Sequence, residues 1–492
     1  MRLRSSELGG FDLALAGAFL LALSVRLIGL NGPIVDEQAW RQTDTAAIAR
    51  SYFEEGYDLL YPRVDWRGDT EGFVESNFPA YAFLVACGYK LLGASREWVG
   101  RLIAVLFSAL SVVPLYFLGK RWYGREVGRL SAFVFAIVPL NVFFGRALMP
   151  ESMMLFFSVG AIYGFVRWTD TEAWAWFFCA AVCAALAFLI KIPTLYLGLP
   201  LAFLACQKFR RRVLMEPRIW GYIFLSLAPA VLWYRHAYGL FQRTHLTFGI
   251  WNAYGYRKWG NVEFLVSPTF YGRMAERLGG VVFTPLGLVL LVVGIWCCLR
   301  RRHGWIFLFW LAAIVVYVLL VPEGNWTLNY YQLPFVPAGS VLIGLALASL
   351  PKTPLGRVGL LGCLIVLGGS SYLYARPLYR PKPYHVARYE MGRKIDAQLP
   401  AGALLVVGDL DANAGARYRA QSPTFLYYCR RKGWQLTPDE FVPERLEALR
   451  RKGARYFVAA TRMVYERKPF WDYLKSRYQR AMSDRHFLVV RL

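Results

Sequence analysis

The sequence predicts an α-helical polytopic membrane protein with about eleven transmembrane helices, additional interfacial helices and a C-terminal α/β domain outside the membrane. Three observations predict it. Hydrophobic residues fill 57% of the 492 positions and charged ones only 18%, a balance foreign to a soluble single domain. Apolar runs of span length recur through the first 375 residues. Beyond them, short apolar strings such as ALLVVG and RYFVAA alternate with helical-looking ERLEALRRKG, the pattern of a small α/β domain.

The first apolar run, Phe11 to Leu30, suits a hydrocarbon core of about 30 Å at roughly 1.5 Å per residue. It lacks a small-residue cleavage site and more runs follow, so it reads as a retained anchor. Next comes an acidic island: Asn31 to Asn77 holds ten Asp/Glu against four Arg in a chain of formal charge +25. Further runs fall at about 101–119, 129–144, 152–168, 174–190, 193–206, 219–235, 281–298, 305–320, 331–350 and 357–375.

One more apolar stretch, Phe78 to Ala94, is assigned by charge, because short cytoplasmic loops collect Lys and Arg. If it does not cross, Arg2, Arg4, Lys120, Arg121, Arg125, Arg129, Lys208, Arg210 to Arg212, Arg218, Arg300 to Arg302, Lys352 and Arg357 all lie inside. Crossing would put nearly all of them outside. Its Pro79, two Tyr and Lys90 then fit a helix at the outer interface. This parity turns outward the segment 31–100, the turn GRALMPES, the loop 236–280 and the 117 residues after 375. The expected domains are therefore a transmembrane part, 1–375, and a soluble part, 376–492. The latter holds 24 Lys/Arg against 11 Asp/Glu, which suits anionic headgroups or an anionic substrate. Eight Cys without CxxC spacing read as small core residues and imply neither disulfides nor zinc.

Asp36–Glu37, just after the first span, reads either as a solvated turn or as a carboxylate held at the lipid–water boundary to act as a general base. Gly32-Pro33 at the span exit, Trp40 and Arg41 one turn on, and the small-residue pattern Ala39, Thr43, Ala46, Ala47, Arg50 favour the base. Glu54, Glu55 and Asp58 read as a solvated face. Glu151 stands beside Pro150 where the third span emerges, five residues after Arg146; a carboxylate there also suits a helix N-terminus. Two acids from separate spans meeting in one outer cavity is the sharper expectation. Lys191 at a span end either snorkels or binds phosphate. His245, Trp251, Tyr254, Tyr256, Arg257, Lys258, Trp259 and Arg273 suit a sugar phosphate at the interface or an aromatic belt. Asn325, Asn329, Tyr330 and Tyr331 fall at the outer mouth of a span. GDLDANAG, with Asp409, Asp411 and Asn413, fails as a calcium loop because Ala414 and Ala420 occupy its sixth and twelfth places. It reads as a strand-to-loop turn. No HExxH, P-loop or dinucleotide fingerprint is visible, and no nucleic-acid partner is expected.

The acidic pair after the first span, the Pro-aromatic interfacial helix, GRLIAVLFSALSVVPLYFLGKRWYGREVGRLSAFVFAIVPL and an acid after Arg-x-x-Met together resemble a family. They look like the polyprenyl-phosphate-sugar glycosyltransferases of the GT-C fold, in the group of protein O-mannosyltransferases and lipid A aminoarabinose transferases. The resemblance implies that Asp36 is the catalytic carboxylate with Glu37 beside it, and that Glu151 is the second acid, where the family often has Asp. Arg41, Arg146, Lys191, Arg257, Lys258, Asn329, Tyr330 and Tyr331 are the substrate-binding candidates. Relatives are commonly basic at the Asn329 to Tyr331 position, so a phosphate contact would fall to Lys191 or Arg257 instead. Some relatives hold a divalent metal at the first loop and others need none; the island has no His, and no metal ligand is predicted.

An acceptor hydroxyl needs a base, whereas a polyprenyl phosphate leaves as an anion and needs a cationic clamp rather than a general acid. That division, unlike the two shared carboxylates of glycoside hydrolysis, implies one displacement with inversion. The expected protein is a bacterial inner-membrane enzyme with its site on the periplasmic face. It would take a sugar from an undecaprenyl-phosphate-type donor to a glycan or glycolipid. A protein hydroxyl or lipid A phosphate is the alternative acceptor. A flippase for a lipid-linked sugar is the alternative of another class, which charges in mid-span would favour; here they cluster at span ends.

Overall fold

The computed structural model describes residues 12–251, 258–301, 303–409, 423–484 and 487–492. Tyr254, Tyr256, Arg257, Asp411, Asn413, Ala414 and Ala420 lie outside them. The chain divides into two compact units: Met1–Leu30, Gly100–Arg235 and Lys258–Tyr379 form one, and Asn31–Val99, His236–Arg257 and Arg380–Leu492 the other.

The first unit is helical, and each of the eleven apolar runs falls on helix. Among the described residues, Glu97–Tyr123, Ile192–Met215 and Pro354–Tyr379 are long and apolar enough to cross a membrane. Pro268–Val282 and Pro285–Arg301 pass only as a pair, bent by 103°. The bend has local causes, a π-helical turn at Leu278–Val282, Thr284 at φ 69° and Pro285. Other runs are shorter or broken by proline. Pro139 divides one into Arg125–Ile137 and Pro139–Phe144, because the residue before proline is pushed out of the α region. Small residues bring helices together: a Cβ on Gly164 would lie 3.1 Å from Ala180, and one on Gly344 2.8 Å from the Ser131 backbone nitrogen. Close approach of this kind is how helices associate where lipid removes the hydrophobic drive.

In the second unit a five-stranded sheet has the order β2-β1-β3-β5-β4. Its strands are β1 (Leu404–Gly408), β2 (Gly433–Gln435), β3 (Ala454–Ala459), β4 (Gln479–Asp484) and β5 (Phe487–Arg491). β1 is parallel to β2 and β3, and β5 is antiparallel to β3 and β4. Alternate residues face opposite ways: Leu405 and Val407 pack with Met391, Ile395 and Phe425, and Val406 with Phe441, Leu446 and Phe470. Both faces are thus covered.

The acidic island folds onto this sheet. Its helix Ala39–Glu55 starts after Gln38 in the left-handed region (φ 56°) and stops at Gly56 (φ 122°); the stripe Ala39, Thr43, Ala46, Ala47, Arg50 is buried. Arg50 bonds Asp65 at 2.6 Å and the Tyr427 carbonyl at 2.9 Å, and Lys432 meets Asp65 at 2.6 Å. Gly68, at φ 61°, donates to the Gly433 carbonyl at 2.7 Å. Glu54 and Glu55 are exposed, yet pair with Arg430 (3.1 Å) and Arg67 (2.8 Å). Phe78 to Ala94 contains the helix Ala80–Leu92, closed by Gly93 at φ 66°. β1 ends at Gly408, and Asp409 accepts from Arg388 Nε at 2.9 Å and Tyr384 at 3.3 Å.

Asp44 is the buried carboxyl of the island helix. Burial pushes it up from 3.8 to about 7, against the Trp66 indole that donates to it at 3.0 Å and the nearby Arg41 charge, with Asp65 adding to the rise. Asp65 is also buried, but Arg50 and Lys432 outweigh that burial and hold it below its ordinary value. Between about pH 4 and 7 the folded chain keeps the Asp44 proton that the unfolded chain releases. Stability therefore falls as pH rises through this window, by on the order of 2–4 kcal/mol, and levels above it. Asp65 acts oppositely and below it, its contribution being lost as pH falls under about 4. Asp44→Asn should flatten the pH 4–7 slope and raise Tm at pH 8; an unchanged slope in thermal melts would remove Asp44 as its source.

Candidate active site

The acidic pair belongs to the second unit. Gly32-Pro33 leads into a buried turn in which the Ile34 amide donates to the Tyr428 hydroxyl at 2.6 Å and Val35 accepts from the Lys382 amide at 2.9 Å. Asp36 is buried, and the fully buried Gln42 amide donates to its Oδ1 and to the Glu37 carbonyl, both at 2.8 Å. The left-handed Gln38 lets the chain double back so that a residue one helical turn on can reach Asp36. Glu37 is oriented otherwise: Lys382 Nζ lies 2.6 Å from its Oε2 and Gln38 donates to Oε1 at 3.2 Å. Two adjacent carboxylates thus have different surroundings, one held by a neutral amide and one by an ammonium. Arg41 lies 4.5 Å over the Phe248 ring, which also meets Trp66 edge-on at 5.9 Å.

Lys382 neutralises Glu37 here, so a divalent ion at Glu37 would have to displace that ammonium. Among the described residues no group of three His, Cys, Asp or Glu is placed to hold one.

The first unit carries a second cluster. Glu151 opens the helix Glu151–Thr171 behind Pro150 and is buried, a position favoured by the helix dipole. Lys191, which ends the helix Trp174–Ile190, turns its ammonium inward to Glu151 Oε1 instead of snorkelling out. Glu151 Oε2 is buried and has no hydrogen-bond partner among the described residues. The same ammonium lies 4.5 Å from the Tyr330 ring and 5.0 Å from that of Tyr331, and Lys258 lies 5.6 Å from Tyr331. Asn329, Tyr330 and Tyr331 form a single 3-10 turn, Asn329–Gln332. Glu151, Lys191, Lys258, Tyr330 and Tyr331 are therefore one neighbourhood, with two ammonium groups on aromatic faces. Arg146 is buried over Tyr379 at 4.3 Å and Phe143 at 5.1 Å, and donates to the Gly29 carbonyl at 3.3 Å.

Gln42 and Lys382 escaped the sequence reading. A lone amide among the small residues of Ala39–Glu55 was the only local sign of Gln42. Lys382 is more than 300 residues from Glu37, and no local pattern points to it.

Residues 76–234 match the family described as dolichyl-phosphate-mannose-protein mannosyltransferase. An uncharacterized protein of Aquifex aeolicus is 26% identical over 310 residues, 62% of this chain and 68% of that protein. A putative mannosyltransferase of Bacillus subtilis, YycA, is 26% identical over 191 residues, 38% of this chain and 27% of the relative. Among solved structures, ArnT from Cupriavidus metallidurans matches in the apo state with TM-score 0.71 and 16% identity over 98% of both chains. Bound to undecaprenyl phosphate, it matches with TM-score 0.68 and 15% identity over 97% of both. The chain thus has the fold of the GT-C glycosyltransferases, and over residues 76–234 it is similar to the mannosyltransferase family.

Proposed function

We propose that the protein transfers a sugar, with inversion, from a polyprenyl phosphate of the undecaprenyl type to a glycan or glycolipid at the outer face of a bacterial inner membrane. The observation that carries the reading is Asp36, a buried carboxylate that the Gln42 amide holds in one orientation at 2.8 Å. Asp36 takes the acceptor hydroxyl proton as the acceptor oxygen bonds to the anomeric carbon. The bond from that carbon to the phosphate oxygen breaks, and its electron pair leaves with the polyprenyl phosphate. One displacement inverts the anomeric centre.

Lys191 and Lys258, poised on Tyr330 and Tyr331, are the cations proposed to take up the phosphate charge. Arg41, Arg146 and Arg257 remain candidates for donor or acceptor contacts. Two comparisons support the donor class: the family named for dolichyl-phosphate-mannose and the ArnT structure bound to undecaprenyl phosphate. The family's name makes a protein hydroxyl one acceptor to compare, and the sequence resemblance adds lipid A.

The test offers purified protein a radiolabelled polyprenyl-phosphate sugar with glycan, lipid A or peptide acceptors, and determines the product's anomeric linkage. The expected product is a glycan or glycolipid bearing the sugar in the opposite configuration to the donor. Retained configuration would overturn the single displacement. Lipid movement across vesicles without transfer would replace the enzyme reading by a flippase.

A further inference from the structure

We propose that one end of the C-terminal sheet binds an anionic glycan, the acceptor chain itself; this rests on the glycan-acceptor reading above and names the surface that recognises it. The register assembles the surface. Arg491 at the end of β5 stands opposite Tyr456 in β3 and Gln479 in β4, and Arg480 opposite Val490. The Leu492 amide donates to the Arg455 carbonyl at 2.9 Å. Arg455, Arg480 and Arg491 thus lie at the same end of three neighbouring strands about 4.8 Å apart, Arg455 and Arg480 on one face and Arg491 on the other. The helices that feed this end also finish in cations, Pro443–Arg451 before β3 and Lys468–Arg477 before β4.

Some of these charges are met: Arg450 by Glu447 at 2.9 Å, Lys475 by Asp472 at 3.4 Å and Lys452 by Asp69 at 4.0 Å. Arg451, Arg455, Arg477, Arg480 and Arg491 are exposed and have no ion pair among the described residues. An ordinary solvated face mixes both signs; here one sign dominates, and its summed field draws in anions.

Chemistry selects the occupant. Among the described residues of 380–492, Val442 is the one exposed large apolar side chain, at 40%. A membrane-docking face needs apolar groups to insert, and a protein interface needs an apolar or aromatic centre. An exposed apolar patch is not present there, and the aromatics beside the cations, Tyr456, Tyr473 and Tyr478, are half-buried, whereas a polyanion needs only charge and guanidinium forks. Placement agrees. The helix Pro383–Gln398 begins beside Val35, where the Lys382 amide bonds the Val35 carbonyl. Early in it Arg388 reaches Asp409 just past the far end of β1. The helix therefore runs back along the sheet, and its 16 residues put about 24 Å between the Asp36 neighbourhood and the basic end. One sugar cannot bridge that distance. A chain can.

The test uses the full-length protein in neutral phosphatidylcholine nanodiscs, with polygalacturonate oligosaccharide as probe and dextran of equal length as the uncharged control. Wild type should bind polygalacturonate and not dextran. The Arg455→Gln/Arg480→Gln/Arg491→Gln variant should bind it roughly tenfold more weakly, and the matching triple Lys variant should retain binding. Transfer to a short neutral acceptor should be unchanged in both. Equal binding by the Gln variant would overturn the proposal, as would binding of phosphatidylglycerol vesicles but not of glycan. Failure of wild type to transfer to any short acceptor would instead strike the enzymatic reading and leave the binding result standing.

Discussion

Asp36→Asn should lower the rate of sugar transfer by roughly 10²–10⁴-fold, the range a positioned general base supplies. The substitution keeps size and leaves Oδ1 able to accept from Gln42, now at 2.8 Å, so the fold and donor binding should survive. What disappears is the site that accepts the hydroxyl proton. The measurement is single-turnover transfer beside equilibrium binding of the donor: a fall in rate with binding intact identifies the base. Full activity would remove Asp36 from that role. Glu37 gives the internal control, since its charge is engaged by Lys382 at 2.6 Å, and Glu37→Gln should cost much less than Asp36→Asn.

Lys191→Met should have the largest effect on stability. Glu151 and Lys191 form a buried pair, with side chains 1% and 12% exposed. Removing one partner strands the other's charge, which costs about 3–5 kcal/mol. The single variant should melt far below wild type or fail to accumulate. The double variant Lys191→Met/Glu151→Gln removes both charges and should recover most of the lost stability. If Lys191 and Glu151 both serve only the fold, transfer recovers with it. If its ammonium holds the leaving phosphate, as proposed, the double variant folds yet binds donor poorly and transfers slowly. Melting temperature and donor affinity, read on the same samples, separate the two.

The fold was legible where it depended on local composition. Each apolar run is helix because nothing within it competes with the helical ladder, and breaks come where Pro139 or Pro285 forbids it. The helix after Pro79 and the small-residue stripe of Ala39–Glu55 were equally plain, because spacing alone puts those residues on one face. Asp36 stood out by its place after the first span, and Glu151 by its place beside Pro150. Their partners were less legible. Lys191 read equally as a snorkelling cation or a phosphate ligand, since a sequence shows that a charge is near a span end but not which way it turns. Glu54 and Glu55 read as bare solvated acids, and Arg430 and Lys432, two of the cations they meet, are distant in the chain.

By itself the sequence determined the helical membrane class, the α/β alternation of the C-terminal segment, the acidic pair and the family resemblance. All of these rest on periodicity, span length and contiguous motifs. Only the tertiary structure decided that the acidic island packs on the C-terminal sheet through Arg50, Asp65 and Lys432, that Gln42 holds Asp36, and that Lys191 turns to Glu151 across Tyr330 and Tyr331. Arg455, Arg480 and Arg491 likewise came to one end of the sheet only through strand register. The physical reason is common to all four. A charge or amide inside a protein is satisfied by whatever the fold brings within about 3 Å, and that depends on closing long loops rather than on the residues beside it.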